Sequence, residues 1–280
     1  MWRISSSLIL MLLLCSGCAT LLTRQSDYLR MDQQAALEGF QKIYFSAPPF
    51  VLTAYQRIKA KSDLMVVYIE GDGFAWVSRT EPSLDPTPKH PLAFQLACQD
   101  PSPNVIYLAR PGQFEAGGTP SINQSYWTQK RFSPEVIQAT SLALDTLKRT
   151  LGSAKISLVG YSGGAVVAVL VAAQRDDVIA LRTVAGNLDP DLFTSLHHVS
   201  PLTGSLDPLA VASSIRSMAQ LHFVGERDTT VPKAIATAFL DQEGDVRHAS
   251  LIVVSGASHL ERWVERWREL LKKPLVNNAQ

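Results

Sequence analysis

The chain has 280 residues, of which 46% are hydrophobic and 18% charged. This composition can bury a large core and excludes a wholly disordered chain, and the length suits one larger α/β domain or two small ones. A formal net charge of +1 gives no electrostatic reason to expect nucleic acid or another polyanion as a partner.

The first residues predict a targeting segment rather than part of the fold. Arg3 supplies a short positive region, and the apolar run Leu8–Leu14 is too short to span a bilayer. Residues 15–18, with sequence C-S-G-C, resemble the lipobox of bacterial lipoproteins, which implies cleavage before Cys18 and lipidation of that cysteine. Cys15 departs from the pattern, which prefers an aliphatic residue there. An ordinary cleaved secretory signal and an uncleaved anchor are the alternatives.

The lipoprotein resemblance implies a division of the chain and a location. Residues 1–17 are the expected signal peptide, residues 18–39 the expected tether, and residues 40–280 the expected folded domain. Ala19, rather than an aspartate, follows the cysteine. The resemblance then implies a protein anchored by its lipid in the outer membrane and facing the periplasm.

Apolar runs and helical patterns alternate along the rest of the chain. Seven runs predict strands: Phe50–Tyr55, Leu64–Glu70, Asn104–Ala109, Ile156–Val159, Val178–Val184, Met218–Val224 and Ser250–Val254. Most are continuously apolar, as expected for strands buried on both faces of a mostly parallel sheet. Helices are predicted over 133–149, 163–174, 232–240 and 261–271. This order predicts a doubly wound α/β fold with helices on both faces.

Two stretches show neither the apolar pattern of a strand nor that of a helix. Residues 74–91 are rich in Pro, Ser and Asp, and residues 187–213 are rich in Ser, Leu, Pro and His. In an open α/β sheet, insertions after strand ends overhang the ligand crevice. Residues 187–213 are therefore either a small cap over the site or a packed surface excursion.

The segment 160–164, with sequence G-Y-S-G-G, lies between a predicted strand and a predicted helix. This arrangement resembles the nucleophile elbow of α/β-hydrolases, which makes Ser162 the candidate nucleophile. The N–H of Gly163, at the start of the helix, is the first candidate donor of an oxyanion hole.

The resemblance implies a chain order of serine, acid and then histidine. Of the six histidines, His259 follows the last predicted strand at the same sheet edge as Ser162. The others precede the candidate acid, lie within a strand, or lie at the opposite edge: His90, His197, His198, His222 and His248. His259 is the candidate base.

Asp228 is the candidate acid. It lies in the loop leaving the strand that ends at Val224, and the surrounding G-E-R-D-T-T-V-P resembles the acid loop of the family. Asp189 follows another strand end and is the main rival, and Asp207 is a more distant one. Glu226 is expected to be a solvated charge at the rim.

A second oxyanion donor is expected after the strand that ends at Ile69. There the chain reads E-G-D-G, with Glu70 where the family usually has histidine. Asp72 or Gly73 would present the N–H. The alternative is a plain turn with a surface aspartate.

From about Leu64 to Trp267 the chain resembles serine hydrolases of the α/β-hydrolase superfamily, such as esterases, lipases and dienelactone hydrolases. The resemblance implies hydrolysis of an ester or related acyl bond through an acyl-serine, with a small-molecule or lipid-like substrate and neither metal nor cofactor. Transfer of the acyl group to another acceptor and a non-catalytic binding lipoprotein are the competing hypotheses. Trp76, Trp127 and Arg110 are candidate substrate contacts, although Arg110 is favoured to pair with Asp72 or Glu70.

Overall fold

The computed structural model describes residues 28–115, 121–244 and 247–275. Its sheet has the strand order β1-β2-β4-β3-β5-β6-β7-β8. Strands β3 to β8 run parallel, and β1 and β2 are added antiparallel at one edge. The strands are β1 (Gln41–Ala47), β2 (Phe50–Ile58), β3 (Leu64–Ile69), β4 (Asn104–Leu108), β5 (Lys155–Tyr161), β6 (Val178–Val184), β7 (Ala219–Gly225) and β8 (Ala249–Val254).

Helices cover both faces of this sheet. They are α1 (28–37), α2 (Leu92–Gln99), α3 (Pro134–Leu151), α4 (Gly163–Ala172), α5 (Pro190–Leu196), α6 (Lys233–Glu243) and α7 (Trp263–Leu270). One apolar core lies between the sheet and helices α3, α4 and α6, and a second lies between the sheet and α1, α2 and α7. The predicted three-layer, mostly parallel architecture is confirmed.

Helix α3 shows how the local sequence sets an element. Pro134 occupies its first turn, where the missing N–H costs nothing, and Glu135 follows where the helix dipole favours a negative charge. The helix ends at Gly152, whose φ of 65° lies in the left-handed region that terminates helices.

The first strand was not predicted. In β1, an edge strand that pairs with β2 alone, only Phe45 and Ala47 are buried. Its sequence, QKIYFSA, has no long continuous apolar run of the kind that marks the predicted strands.

The predicted tether over 18–39 is wrong from residue 28 onward, and residues 18–27 lie outside the described part of the chain. Helix α1 buries Met31 and Ala35 in the second core, and the Tyr28 hydroxyl donates to Asp85 Oδ2 at 2.8 Å. Only Met31 and Ala35, one turn apart, are buried, and Leu29 and Leu37 are exposed, so the apolar residues of this helix form only a narrow stripe against the core.

Residues 187–213 divide into two parts. Helix α5 lies beside the carboxyl ends of the strands, where Phe193 lines a cavity. The remainder packs into the domain, with Ala212 buried and the Leu206 N–H donating to the Phe132 carbonyl at 2.9 Å. In the described residues, no helix has the length and apolar character needed to cross a bilayer.

Candidate active site

The turn between β5 and α4 holds Ser162 in a strained conformation. Its φ of 51° is rare for a residue with a side chain. A Cβ on Gly160 would lie 2.4 Å from Ala165 Cα, and one on Gly164 would lie 2.3 Å from the Ile69 carbonyl oxygen. The close approach of three backbone segments therefore requires glycine on both sides of the serine.

His259 joins Ser162 to Asp228. Its Nε2 lies 3.1 Å from Ser162 Oγ, and its Nδ1 lies 2.9 Å from Asp228 Oδ2. Because an ionised carboxylate only accepts hydrogen bonds, Nδ1 carries the proton and Nε2 is left to accept the proton of the serine. The backbone of His259 is held in turn, since Tyr161 Oη donates to its carbonyl at 3.1 Å.

The carboxylate of Asp228 is fully buried and its lone pairs are satisfied by fixed donors. Oδ1 accepts the N–H groups of Thr230 at 2.9 Å and Val231 at 2.8 Å, so Oδ2 remains for the imidazole. The two rival acids have other roles. Asp189 caps α5 by accepting the Leu192 N–H at 2.9 Å, and Asp207 accepts the Leu209 N–H at 2.9 Å.

Two other titratable residues considered from the sequence, His222 and Glu226, bind other partners than Ser162 and His259. His222 is buried in β7 with Nδ1 2.9 Å from Thr183 Oγ1, and burial lowers its pKa to about 4. Glu226 is exposed and binds Ser255 Oγ at 2.9 Å, as expected for a rim charge.

The loop after β3 faces the elbow. Within the described residues, the N–H groups of Asp72, Gly73 and Gly163 have no hydrogen-bond acceptor, which suits donors reserved for an oxyanion. Gly73 has a φ of 65°, and a Cβ there would lie 2.0 Å from the Pro86 carbonyl oxygen. Glycine is therefore required at this turn.

The Asp72 side chain is clamped by two buried arginines. Arg131 Nη1 binds its Oδ2 at 2.6 Å, and Arg110 Nη1 lies 3.5 Å from its Oδ1. A Cβ on Gly163 would lie 2.0 Å from Asp72 Oδ1, so the carboxylate packs directly against the first residue of α4. The two ion pairs hold the loop against the elbow and offset the negative charge of Asp72 beside the N–H group of Gly163.

Glu70 is buried at the start of the same loop. Its Oε1 accepts the Gly71 N–H at 2.9 Å, and burial raises the pKa of its carboxyl to about 7. The residue that departs from the family pattern thus holds the turn by accepting a backbone hydrogen bond.

A cavity of about 470 Å³ opens over Ser162 and His259. Trp76 lines it and stays a candidate substrate contact. The prediction for Trp127 is wrong, because this side chain is buried and donates to the Ser83 carbonyl at 3.1 Å. The prediction of Arg110 as a substrate contact is also wrong, and its pairing with Asp72 is the alternative that the structure supports.

Sequence reasoning missed several lining residues. They are Phe74, Lys89, Arg131, Tyr161, Phe193 and Leu260, with His90 considered only as a base. Phe74, Lys89, Arg131 and Leu260 lie in loops without a helical or strand pattern, whereas Tyr161 ends β5 and Phe193 lies in α5. The predicted overhang of 74–91 and 187–213 includes Phe74, Lys89, His90 and Phe193, and no signal in the sequence indicated the others.

No protein-family model and no curated protein matches the sequence. Solved structures do. An α/β serine hydrolase homologue from Coxiella burnetii aligns with a TM-score of 0.56 at 18% identity, over 86% of this chain and 97% of that one. The Pyrococcus furiosus esterase Pf2001 aligns with a TM-score of 0.61 at 15% identity, over 84% and 91%. Est1E from Butyrivibrio proteoclasticus aligns with a TM-score of 0.58 at 16% identity, over 82% and 96%. The chain therefore has the α/β-hydrolase fold.

Proposed function

We propose that this chain is a serine hydrolase that cleaves an ester or related acyl bond through an acyl-serine intermediate. The observation that carries the proposal is the hydrogen-bonded series Ser162–His259–Asp228, with separations of 3.1 and 2.9 Å, beneath a cavity. The N–H groups of Asp72, Gly73 and Gly163, which have no acceptor among the described residues, support an oxyanion site beside the serine.

The residues divide the reaction between them. Ser162 Oγ attacks the acyl carbon while His259 Nε2 takes its proton, and the imidazolium that forms is stabilised by Asp228. The N–H groups of Gly163 and Asp72 bind the oxyanion of the tetrahedral intermediate. Collapse of the intermediate breaks the bond to the leaving alcohol, which takes the proton from His259. Water then attacks the acyl-serine while His259 Nε2 takes a proton from it. Ser162 Oγ leaves and recovers that proton, and the acid is released.

A fluorophosphonate probe tests the nucleophile. We expect covalent labelling of Ser162, located by peptide mass spectrometry, and loss of both labelling and p-nitrophenyl ester hydrolysis in Ser162→Ala. Ser214→Ala is the matched control, because Ser214 is an exposed serine remote from the cavity. Full esterase activity of Ser162→Ala would overturn the proposal.

Cavity size and lining suggest the acyl group. Aromatic and aliphatic side chains, among them Phe74, Trp76 and Phe193, supply most of the walls of a cavity of about 470 Å³. That volume lies in the range of pockets that hold small-molecule ligands, and the apolar lining suits an aliphatic or aromatic acyl group. Est1E has been solved with bound ferulic acid. A p-nitrophenyl series of increasing acyl length, with an aromatic acyl ester added, measures which of these acyl groups the cavity prefers.

We further propose that the enzyme is lipid-anchored in the bacterial envelope. Cys18 and the signal segment 1–17 lie outside the described residues, so this proposal is supported by the sequence pattern alone. Mass spectrometry of the mature N-terminus should find an acylated Cys18, and Cys18→Ser should move the protein from the membrane fraction to the soluble one. An unmodified N-terminus at another residue would overturn it.

A further inference from the structure

The cavity wall contains a buried cation with unused hydrogen-bonding capacity. Arg131 is only 8% exposed, yet it lines the cavity above Ser162. Its Nη1 binds Asp72, and its buried Nε has no hydrogen-bond partner in the described part of the chain. A planar guanidinium offers five donors in a fork that matches a carboxylate or phosphate, and here most of them are not engaged by protein atoms.

The charges around Arg131 do not balance. Arg110 and Arg131 share the single carboxylate of Asp72. Glu70 is the other acid among the residues that line the cavity. Because burial raises the pKa of its carboxyl to about 7, it is only partly ionised at neutral pH. Buried charges are normally paired, so a cluster with surplus positive charge facing a cavity favours an anion there.

A second cation lies farther out along the same cavity. The Lys89 ammonium is 4.4 Å from the centroid of the Phe74 ring, and both residues line the cavity. His90 follows it in the wall. The acids among the lining residues, Glu70 and Asp72, both lie on the loop after β3, so the lining offers Lys89 no carboxylate beyond that loop.

We propose that the cavity selects acyl substrates that carry an anionic group, a carboxylate or a phosphate, which Arg131 binds with Lys89 at the outer end. The inference rests on the proposed hydrolase function and adds the substrate class. The anion sits either on the acid or on the alcohol side of the scissile bond, and both positions place it in the same cavity.

Matched pairs of esters test the proposal. Mono-4-nitrophenyl adipate is compared with neutral 4-nitrophenyl hexanoate, and a phosphate-bearing phenyl butyrate with unsubstituted phenyl butyrate. The wild-type enzyme should favour the anionic member of at least one pair in kcat/KM by about tenfold, the value of a charge-assisted hydrogen bond. The pair that shows the preference identifies the side and the kind of anion.

Variants assign the preference to residues. Arg131→Gln should bring the anionic-to-neutral ratio close to one, Arg131→Lys should retain part of it, and Lys89→Met should lower it less. The ratio is the measured quantity, because Arg131 also holds Asp72 and its loss slows every ester. Arg149→Gln, on the exposed surface of α3, is the control and should leave the ratio unchanged.

The two proposals fail separately. Hydrolysis of neutral esters without any anionic preference, or a preference that survives Arg131→Gln, overturns the anion subsite alone. Absence of ester hydrolysis and of Ser162 labelling overturns the hydrolase. In that case calorimetry with adipate and hexanoate still tests the anion subsite on the same protein. The subsite requires adipate, the dianion, to bind about tenfold more tightly than hexanoate, and requires this difference to disappear in Arg131→Gln.

Discussion

Glu70 makes the stability of the fold depend on pH, and the magnitude follows from its environment. Burial raises the pKa of its carboxyl from an ordinary 4.5 to about 7. Below pH 4.5 the group is protonated in both the folded and the unfolded chain, so it costs nothing. Between these values the unfolded chain loses the proton and the folded chain keeps it. The free energy of unfolding therefore falls as pH rises through this window.

Linkage gives the size of the effect. Each unit of pKa difference corresponds to about 1.4 kcal/mol, and integration between pH 5 and pH 8 gives a loss of about 2.5 kcal/mol from this one group. Glu70→Gln imitates the protonated form and keeps an oxygen for the Gly71 N–H. Its free energy of unfolding should lack this decline, so the difference between variant and wild type should change by about 2.5 kcal/mol over the same range.

Urea unfolding of both proteins at pH 5 and pH 8 measures the difference. Glu81→Gln is the control, because Glu81 is exposed and its neutralisation should leave the pH dependence of wild type intact. Parallel stability curves for wild type and Glu70→Gln would refute the reasoning. A variant that loses stability at pH 8 would show that ionised Glu70 is stabilised by Arg110 instead.

Three further predictions concern the site, and two of them have a matched control substitution. Asp228→Asn should lower kcat by about 10³- to 10⁴-fold, because the imidazole loses its orienting acceptor, whereas Asp189→Asn should keep activity, as steady-state kinetics will show. Arg110→Met should lower kcat for neutral esters by about 10²-fold with little change in KM, since it loosens the oxyanion loop, and an increase confined to KM would contradict this. Gly164→Ala should cost about 3 kcal/mol in urea unfolding because its Cβ meets two backbone carbonyls. Gly152→Ala, where the space is open, should cost only about 1 kcal/mol.

The sheet and the series Ser162–His259–Asp228 could be predicted from the sequence because each of the three residues follows the carboxyl end of a parallel strand. A continuous apolar run such as Val178–Val184 marks a strand, and the direction of a parallel strand fixes the edge at which its following loop emerges. Topology therefore placed Ser162, Asp228 and His259 at one edge without any knowledge of distances.

The cavity wall was not accessible in this way. Arg131 follows a short helical turn and acts through contacts with Asp72, a residue 59 positions away. Trp127 was misassigned for the same reason, because exposure of a loop aromatic depends on which distant carbonyl it meets. The local pattern of apolar residues carries no information about such long-range side-chain contacts. It does identify the strands, and their direction shows at which edge of the sheet each loop emerges.

Two carboxylates, those of Glu70 and Asp72, lie on the loop that carries the proposed oxyanion donors. A negative charge there would oppose the proposed reaction. The structure deals with each differently. Glu70 is desolvated, so its charged form is disfavoured near neutral pH, and Asp72 is neutralised by Arg131 and Arg110. A loop with acidic side chains can then hold an oxyanion only while both arginines remain in place. The same arginines supply the surplus positive charge from which we infer an anionic substrate, so the proposed oxyanion site and the proposed substrate preference share one physical origin.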